Sequence, residues 1–503
     1  MIKLEYLAHS SFLLTCGNKR IVFDPWLGGE AYYKQWYLWP VYPGNVPYDF
    51  DVVLISHGHE DHLHSATLRK LNKKANVFFP FQWRKGIKPF LYHLGFGSVT
   101  EAVSFKTYTV DDVKITYIGY SLESVVVVEY KNQVLVNIND ALNSNHHSAV
   151  NFIIDQINKR WPEIDILLSG WSGASYFPNQ VKYHSKNDVE VAKMREQYFA
   201  NNFCLFTEAL KPKMAIPFVT GFVLLREKTK WINHIKFPRR VVADYYKEYY
   251  GECRTQFVVP YPGDTIDEKG HTKISPLHAF SEEEVYYKAY EYYANALQTA
   301  DHIHYLDDGV IQTLVADLTH WVNYNKQLYD KVVLQDAVFS IRLEDVKENE
   351  FLNIFYEAGK FIVQRAGKPL EDRKVLITTQ AAKVAYGLKK MWGGDVITIG
   401  YGLEVELYDE LSLEKNLDIV CVRLITRYPM AHKDLVKYPL RAAKYYLTNP
   451  AITTLWIKQK INLKPYINKF PANERDHWFT YNKCDLCQVC KMPQVDNSVY
   501  NNY

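Results

Sequence analysis

Residues 54–64 read LISHGHEDHLH and place four histidines and two acids directly after a short hydrophobic run that is typical of a buried strand. Side chains at positions i and i+2 of an extended segment point in the same direction. His57 and His59 therefore have the spacing to bind one metal ion together, because imidazole nitrogen is a common ligand of divalent transition metals.

Asp61 and His62 follow where the strand gives way to a turn, so their side chains can be directed toward a second ion nearby. Two adjacent cations need a bridging anion. Asp140, which ends the hairpin pattern VVVVEYKNQVLVNIND of residues 125–140, is the candidate for that carboxylate. The sequence thus predicts a two-metal site at the end of several strands.

The composition excludes several classes of protein. The 503 residues are 48% hydrophobic, enough for several domains with their own cores, and the formal net charge of +3 gives no field that would attract nucleic acid. No run of 18 apolar residues is present, so we expect no membrane span and a cytoplasmic protein. Seven cysteines, an odd number, suit a reducing compartment better than a disulfide framework.

The order of hydrophobic patterns predicts an α/β fold. The first 140 residues alternate β-branched and aromatic runs with turn signals, which indicates two packed sheets, and long helical patterns begin near residue 281. We expect four regions: a catalytic domain over 1–265, a helical region over 281–334, an α+β module over 335–440, and a tail with the cysteine cluster over 441–503. The α+β module, with VFSIRLEDV, VLITTQAA and ITIGYGLEVELY, resembles sterol-carrier-like lipid-binding modules, and the alternative is an ordinary interaction domain.

The motif His57-Gly-His59-Glu-Asp61-His62 resembles the HxHxDH signature of the metallo-β-lactamase superfamily. The stretch LAHSSFLLTCGNKRIVFDPWL (residues 7–27) and the hairpin before Asp140 stand where that superfamily has its supporting motifs, and the resemblance extends over roughly residues 1–265. It implies an αββα sandwich with the metal ions at one edge, followed here by a helical segment and an α+β carboxy-terminal region.

Within the superfamily, the opening stretch is similar to the branch of lactonases and N-acylphosphatidylethanolamine phospholipase D. It is still more similar to the corresponding domain of the CMP-N-acetylneuraminate hydroxylases. That second similarity also rests on LLSGWSGASYFP (167–178), LKPKMAIPFVTGFVLL (210–225) and VVPYPGDTI (258–266).

One segment departs from the superfamily pattern. Where hydrolases of this fold have a motif like Gly-His-Thr-x-Gly-Ser, the chain reads GYSLES at residues 119–124, with Tyr120 in place of the histidine. Either one metal position lacks a ligand or Glu123 replaces it, and a carboxylate ligand favours iron or manganese over zinc. The alternative is that Glu123 is a solvated turn residue and the site holds one metal. Tyr120 is expected beside the ligands.

The last ligand of such a site is usually a histidine late in the domain, and no candidate has diagnostic spacing. We include His234 among the expected ligands, and the other candidates are His184, His146 and His147. Asp264 lies in a turn sequence that is equally typical of a connector between regions. Asp24, in FDPW, is expected to orient a ligand histidine, with turn capping by a short acid as the alternative.

A second constellation near the carboxy terminus is Cys484-Asp-Leu-Cys487-Gln-Val-Cys490. Three thiolates at this spacing can bind one ion or cluster, and His477 supplies a fourth ligand for a structural zinc site. The spacing also resembles the start of the cysteine motif of bacterial ferredoxins, which bind iron–sulfur clusters, although Gln494 stands where the fourth cysteine is expected. The alternative is an unstructured tail that carries cysteines.

Two functions remain open from the sequence. In a hydrolase, two ions polarise an ester, lactone or phosphodiester, and Asp61 positions the attacking hydroxide. In an oxygenase, which the hydroxylase resemblance implies, an iron pair activates O2 for a small-molecule substrate and an external donor supplies electrons. Glu123 favours the oxygenase slightly, whereas the CxH…CxxH pattern of a Rieske domain is not found in the chain.

Overall fold

The computed structural model describes residues 1–82, 86–120, 123–143, 147–183, 188–219, 221–347, 350–390, 393–408, 412, 415–427, 439–448, 450–454 and 457. Its strands, in chain order, are β1 (Ile2–Ala8), β2 (Ser11–Cys16), β3 (Lys19–Phe23), β4 (Glu30–Ala31), β5 (Trp36–Leu38), β6 (Val52–Leu54), β7 (Asn76–Pro80), β8 (Ser98–Ala102), β9 (Thr107–Val110), β10 (Val113–Tyr120), β11 (Glu123–Tyr130), β12 (Gln133–Asn139), β13 (Ile166–Gly170), β14 (Val181–Tyr183), β15 (Met214–Phe218), β16 (Phe222–Val223), β17 (Gln256–Phe257), β18 (Thr265–Asp267), β19 (Gly270–Lys273), β20 (Phe339–Leu343), β21 (Glu350–Glu357), β22 (Lys360–Ala366), β23 (Val375–Thr379) and β24 (Leu403–Leu407).

The α-helices span Ser65–Lys70, Ile87–His93, His147–Arg160, Tyr176–Asn179, Asp188–Leu210, Glu227–Lys230, Val242–Tyr250, Glu282–Tyr292, Ala294–Thr299, Asp308–Asn325, Lys331–Asp336, Ala381–Lys389, Leu417–Leu424 and Pro439–Leu447. Shorter 3-10 turns span Trp231–His234, Arg239–Val241, Pro276–Ala279, Lys326–Leu328 and Gly393–Val396.

Two large sheets form the first half of the protein. One has the strand order β19-β18-β1-β2-β3-β6-β7-β8 and the other the order β17-β15-β13-β12-β11-β10-β9. Their facing sides share one apolar core, to which Leu4, Phe12 and Phe23 contribute from the first sheet and Tyr117 and Ile216 from the second. Each sheet therefore has one side fully withdrawn from water.

Helices cover the outer side of each sheet. The helices Ser65–Lys70 and Ile87–His93 pack on the first sheet, and the helices His147–Arg160 and Asp188–Leu210 pack on the second. The order of layers is therefore helix, sheet, sheet, helix. The αββα sandwich that the sequence predicts is confirmed.

A third sheet, with the order β14-β24-β23-β20-β21-β22, forms the α+β part of the carboxy-terminal half. Its core includes residues of the helices Asp308–Asn325 and Ala381–Lys389. The strand β14 comes from the first half of the chain and pairs in parallel with β24. The predicted α+β region after the sandwich is thus present, and the predicted domain limits stay a prediction.

Of the helices that the structure describes, none is both long enough and apolar enough to pass through a lipid bilayer. Cys484, Cys487, Cys490 and His477 lie outside the described residues, and so do His146 and His184. The predicted zinc or iron–sulfur site in the tail therefore stays a prediction.

Candidate metal centre

The metal-ligating side chains gather where several strands end. In the first sheet, β1, β3 and β6 run in the same direction, because β1 and β3 each pair antiparallel with β2 and β3 pairs in parallel with β6. Their carboxyl ends therefore lie at one edge. That edge carries His9 after β1, Asp24 after β3 and residues 55–64 after β6, and the end of β12 adds Asp140 from the second sheet.

A first group of ligand atoms consists of His57, His59 and Asp140. Nε2 of His57 lies 2.7 Å from Nδ1 of His59 and 3.8 Å from Oδ2 of Asp140. Burial lowers the pKa of His57 well below its usual value and also lowers that of His59, and neighbouring imidazoles add to the effect. Both rings are thus neutral at pH 7, the form that binds metal.

A second group consists of His9, Asp61 and His62. Oδ2 of Asp61 lies 2.9 Å from Nε2 of His9 and 3.2 Å from Nε2 of His62. Oδ2 of Asp140 lies 3.4 Å from that same nitrogen of His62, so this carboxylate stands between the two groups. The arrangement has the form of two adjacent three-ligand sites with a carboxylate in the bridging position.

The buried atoms of this second group fit a cation. Nε2 of His62 lies 3.2 Å from Oδ2 of Asp61 and 3.4 Å from Oδ2 of Asp140, so one imidazole and two carboxylates converge in a buried place. Imidazole nitrogen and carboxylate oxygen are the donors that zinc, iron and manganese take in proteins. The residues present therefore fit two divalent metal ions.

The charges of the second group support each other. Burial acts to lower the pKa of His62, but the carboxylates of Asp61, Asp140 and Asp24 outweigh it and hold that pKa well above its usual value. Burial acts in the opposite sense on Asp61, and His62 and His9 hold the pKa of this carboxyl well below its usual range. Without a metal, the group is an ion pair held out of water.

Asp24 is fully buried and is hydrogen-bonded to the histidine-rich loop that follows β6. Its carboxylate accepts hydrogen bonds from the backbone N–H of Ser56 at 2.7 Å and from the Ser56 hydroxyl at 2.8 Å, and it lies 3.2 Å from Nδ1 of His62. The amide of Asn139 donates to the same carboxylate. The structure thus places Asp24 beside His62, and the orienting role expected from the sequence stays a prediction.

Glu123 begins β11 and is only partly exposed. Burial and the nearby Asp140 carboxylate raise the pKa of Glu123 to about 8, whereas His62 acts to lower it. The carboxyl is therefore near enough to Asp140 and His62 for their charges to act on it. Tyr120 ends β10 and pairs with Glu123 of β11.

Two buried residues of the site were missed by the sequence reasoning. His9 follows β1 with φ 44° and is 1% exposed, and Oη of Tyr32 donates a 2.5 Å hydrogen bond to Oδ1 of Asp61. The rings of Trp26 and Trp36 enclose His9, with ring centroids 5.2 and 6.2 Å away. The position of His9 at the end of a strand pattern could have identified it as a site residue. The sequence around Tyr32 has no feature that indicates a role in the site.

His234 lies away from both groups. Its Nε2 is 3.2 Å from the hydroxyl of Tyr290, and its ring neighbours are Tyr286, Tyr287 and Tyr290. The structure does not bring it to the metal groups. His147, a further candidate of the sequence, begins the helix His147–Arg160.

A cavity of about 410 Å³ opens beside the metal loop. Gly58 and Glu60 of that loop line it together with Tyr32, and the carboxy-terminal half contributes Tyr386 and Asp395. Burial, with Asp61 and Glu60 adding to it, raises the pKa of Asp395 well above its usual value. The cavity has the size of a small-molecule site.

Comparisons with known proteins agree with this geometry. Residues 3–168 match the model of the beta-lactamase superfamily domain. The chain is 26% identical over 285 residues to cytidine monophosphate-N-acetylneuraminic acid hydroxylase of Danio rerio, which covers 53% of this chain and 46% of that protein. It is 26% identical over 251 residues to the inactive human counterpart, covering 46% of this chain and 47% of that protein.

The chain thus spans about half the length of the curated relatives it matches. A solved structure, CmlA, a diiron beta-hydroxylase from Streptomyces venezuelae, is 15% identical and covers 51% of this chain and 52% of its own, with a TM-score of 0.34. That overlap is too loose to bear on the chemistry of the site. By its sequence match and its layered sheets, the part of the chain over residues 3–168 is a beta-lactamase superfamily domain.

Proposed function

We propose that this protein is a dinuclear metal enzyme and, more specifically, an iron-dependent hydroxylase that uses O2 on a small-molecule metabolite. The first part rests on the two adjacent groups of ligand atoms, with His57, His59 and Asp140 on one side and His9, Asp61 and His62 on the other. With metal bound, such a centre supplies Lewis-acid chemistry, and an iron pair also supplies O2 activation with electrons from an external donor.

The observation that carries the choice of iron is Glu123. Its carboxyl lies close enough to Asp140 for the two charges to interact, and its raised pKa of about 8 means that it loses its proton readily only when a cation compensates the charge. A deprotonated Glu123 adds a second oxygen ligand next to Asp140. Hard oxygen ligands suit iron and manganese better than zinc.

The remaining residues of the site position the ligands and the substrate. Tyr32 holds Oδ1 of Asp61, and Asp24 fixes His62. A substrate in the neighbouring cavity meets the carboxyl of Asp395, whose raised pKa favours the protonated form that can donate a hydrogen bond to it. The hydroxylase name of the relatives supports the same class of reaction for the half of the chain that they match.

Metal-dependent hydrolysis of an ester, lactone or phosphodiester is the second candidate, because hydrolases share the motif of His57 to His62. In that reading, Asp61 positions the nucleophile and Glu123 takes no part in metal binding.

Metal analysis separates the two candidates. The full chain is purified without oxygen, supplied with equal iron and zinc, and compared with Glu123→Gln and with Glu129→Gln, a control at the other end of β11. We expect about two iron ions per chain in the unmodified protein and in the control, and a loss of iron in Glu123→Gln. Two zinc ions without iron in the unmodified protein, together with turnover of a nitrophenyl phosphodiester, would contradict the hydroxylase proposal.

A further inference from the structure

A second cluster of metal-ligating side chains lies away from the centre described above. Asp264 precedes β18, His271 lies in β19, and His278 lies in the 3-10 turn Pro276–Ala279. The hairpin of β18 and β19 pairs Ile266 with His271, and the turn that follows brings His278 back to Asp264. These three residues, the Asp264 triad, place one ligand atom each within 4.8 Å of the others.

The hydrogen bonds of Asp264 leave one nitrogen without a partner. Its Oδ1 accepts from the backbone N–H of Ser275 at 2.5 Å, and its Oδ2 accepts from the backbone N–H of Tyr261 at 2.9 Å and lies 2.6 Å from Nε2 of His278. A carboxylate oxygen has about two lone-pair sites, so Oδ2 is fully used. Nε2 of His271 lies 3.1 Å from the same oxygen, yet it is buried with no hydrogen-bond partner.

We propose that the Asp264 triad binds one divalent transition-metal ion, separately from the centre at His57 to His62. Both imidazoles present Nε2 to the same carboxylate oxygen, which is the convergence that a metal ion requires and that hydrogen bonding alone cannot satisfy here. Two imidazoles and one carboxylate favour zinc, iron, cobalt or manganese over calcium or magnesium.

The distances need little adjustment. With metal–ligand bonds of about 2.1 Å, neighbouring ligand atoms of a tetrahedral site lie about 3.4 Å apart. The separation of 3.1 Å between Asp264 and His271 is already close to that value, and the imidazole of His278, at 2.6 Å, has to withdraw by roughly 0.8 Å. The fourth position is left for water or a ligand.

Charge and access agree with this assignment. Burial would raise the pKa of Asp264, but the two imidazoles and the backbone N–H groups of Tyr261 and Ser275 hold it well below its usual range, so the ligand is ionised. The side chain of Asp264 is fully buried, whereas those of His271 and His278 are 22% and 26% exposed, which leaves an entrance for the ion.

The ion would join three elements of the fold. The backbone N–H of Tyr6 in β1 donates to the carbonyl of Asp264, so the triad connects the edge of the first sheet to the β18–β19 hairpin and to the turn before the helix Glu282–Tyr292. Because a preformed site of this kind does not exist in the unfolded chain, metal binding stabilises the fold.

The test compares the full chain with the double variant His271→Ala, His278→Ala and with the control His302→Ala, His304→Ala, a pair of exposed histidines whose rings are 4.7 Å apart. Each protein is stripped, incubated with Co²⁺ alone, dialysed and analysed for metal. We expect the triad variant to bind one equivalent less than the unmodified chain and the control to bind the same amount. Equal cobalt in all three proteins overturns the proposal.

A second measurement does not depend on the variants. In crystals of the unmodified protein soaked with Co²⁺, an anomalous peak is expected among Asp264, His271 and His278, whatever the occupancy of the other centre. If these crystals give no peak there while cobalt is present at His57 to His62, the proposal is wrong and the triad is a hydrogen-bonded turn.

Discussion

Nε2 of His9 lies 2.9 Å from Oδ2 of Asp61, which joins the end of β1 to the histidine-rich loop after β6. The two residues are far apart in the sequence, and both are buried. His9 therefore supplies the imidazole that late histidines such as His234 do not bring to this edge.

Replacement of His9 by alanine should remove one ligand from the second metal group and leave His57, His59 and Asp140 in place. We expect bound metal to fall from about two ions per chain toward one, as measured by elemental analysis after dialysis. His93→Ala, at an exposed helix end, is the matched control and should keep both ions. Full metal content in His9→Ala would show that His9 only packs beside the site.

Gly221 makes room for the backbone of His9. A Cβ atom at Gly221 would lie 2.5 Å from Cα and 2.6 Å from the backbone nitrogen of His9, which cannot move without shifting β1. Gly221→Ala should therefore lower the free energy of unfolding by about 1–3 kcal/mol and weaken metal binding. Gly97→Ala, where nothing lies within 4 Å of the new atom, should change neither in chemical denaturation and metal titration. Equal behaviour of the two variants would contradict this close approach.

The parts of the centre that could be predicted from sequence are the local ones. His57, His59, Asp61 and His62 lie within six positions of one loop after β6, so their closeness in the chain alone brings them to the same edge. His9 and Tyr32 reach Asp61 only through the pairing of distant strands and through a left-handed backbone, at φ 44° and 53°. The hydrophobic periodicity of a single sequence indicates local structure and does not indicate contacts between distant segments.

The same limit applies to the Asp264 triad. In the sequence, Asp264 has the context of a connector between regions, and His271 and His278 stand alone in a polar stretch. The hairpin register and the turn after it determine that both rings face the carboxylate. The two packed sheets, by contrast, followed from the β-branched and aromatic runs of the first 140 residues, whereas the αββα order of layers was implied by the resemblance to the metallo-β-lactamase superfamily.

Tyr32→Phe removes the 2.5 Å hydrogen bond to Oδ1 of Asp61 inside a buried site. Hydrogen bonds to a charged group contribute about 1.5–3 kcal/mol, and the metal-free protein should lose that much stability toward urea. Tyr33→Phe, at the neighbouring and 41% exposed position, should cost less than about 0.5 kcal/mol. A loss of equal size in both variants would argue that the bond to Asp61 does not form.

Lys383 gives a pH-dependent prediction outside the site. Burial lowers the pKa of this amine to about 7, with Arg226 adding to the effect, and its Nζ has no hydrogen-bond partner. Between pH 7 and about 10 the unfolded chain binds a proton that the folded chain does not, so stability rises with pH in that window. Below pH 7 both states are protonated and the cost of burying the charge is complete.

Lys383→Met should therefore stabilise the protein at pH 7 by up to roughly 4 kcal/mol, and the advantage should shrink as the pH approaches 10. Thermal or urea unfolding at both pH values measures it, with Lys389→Met, at an exposed position of the same helix, as the control. A stability difference that stays constant with pH would mean that Lys383 is charged or solvated in the folded state.

The central claim is a pair of iron ions at the edge where β1, β3, β6 and β12 end. Anomalous diffraction from crystals grown without oxygen, recorded at the iron and the zinc absorption edges, tests it most directly. The account predicts two iron peaks about 3.5–4 Å apart, one beside His57, His59 and Asp140 and the other beside His9, Asp61 and His62. Zinc peaks alone would refute the iron assignment, and an absence of any peak between these side chains would refute the metal centre itself.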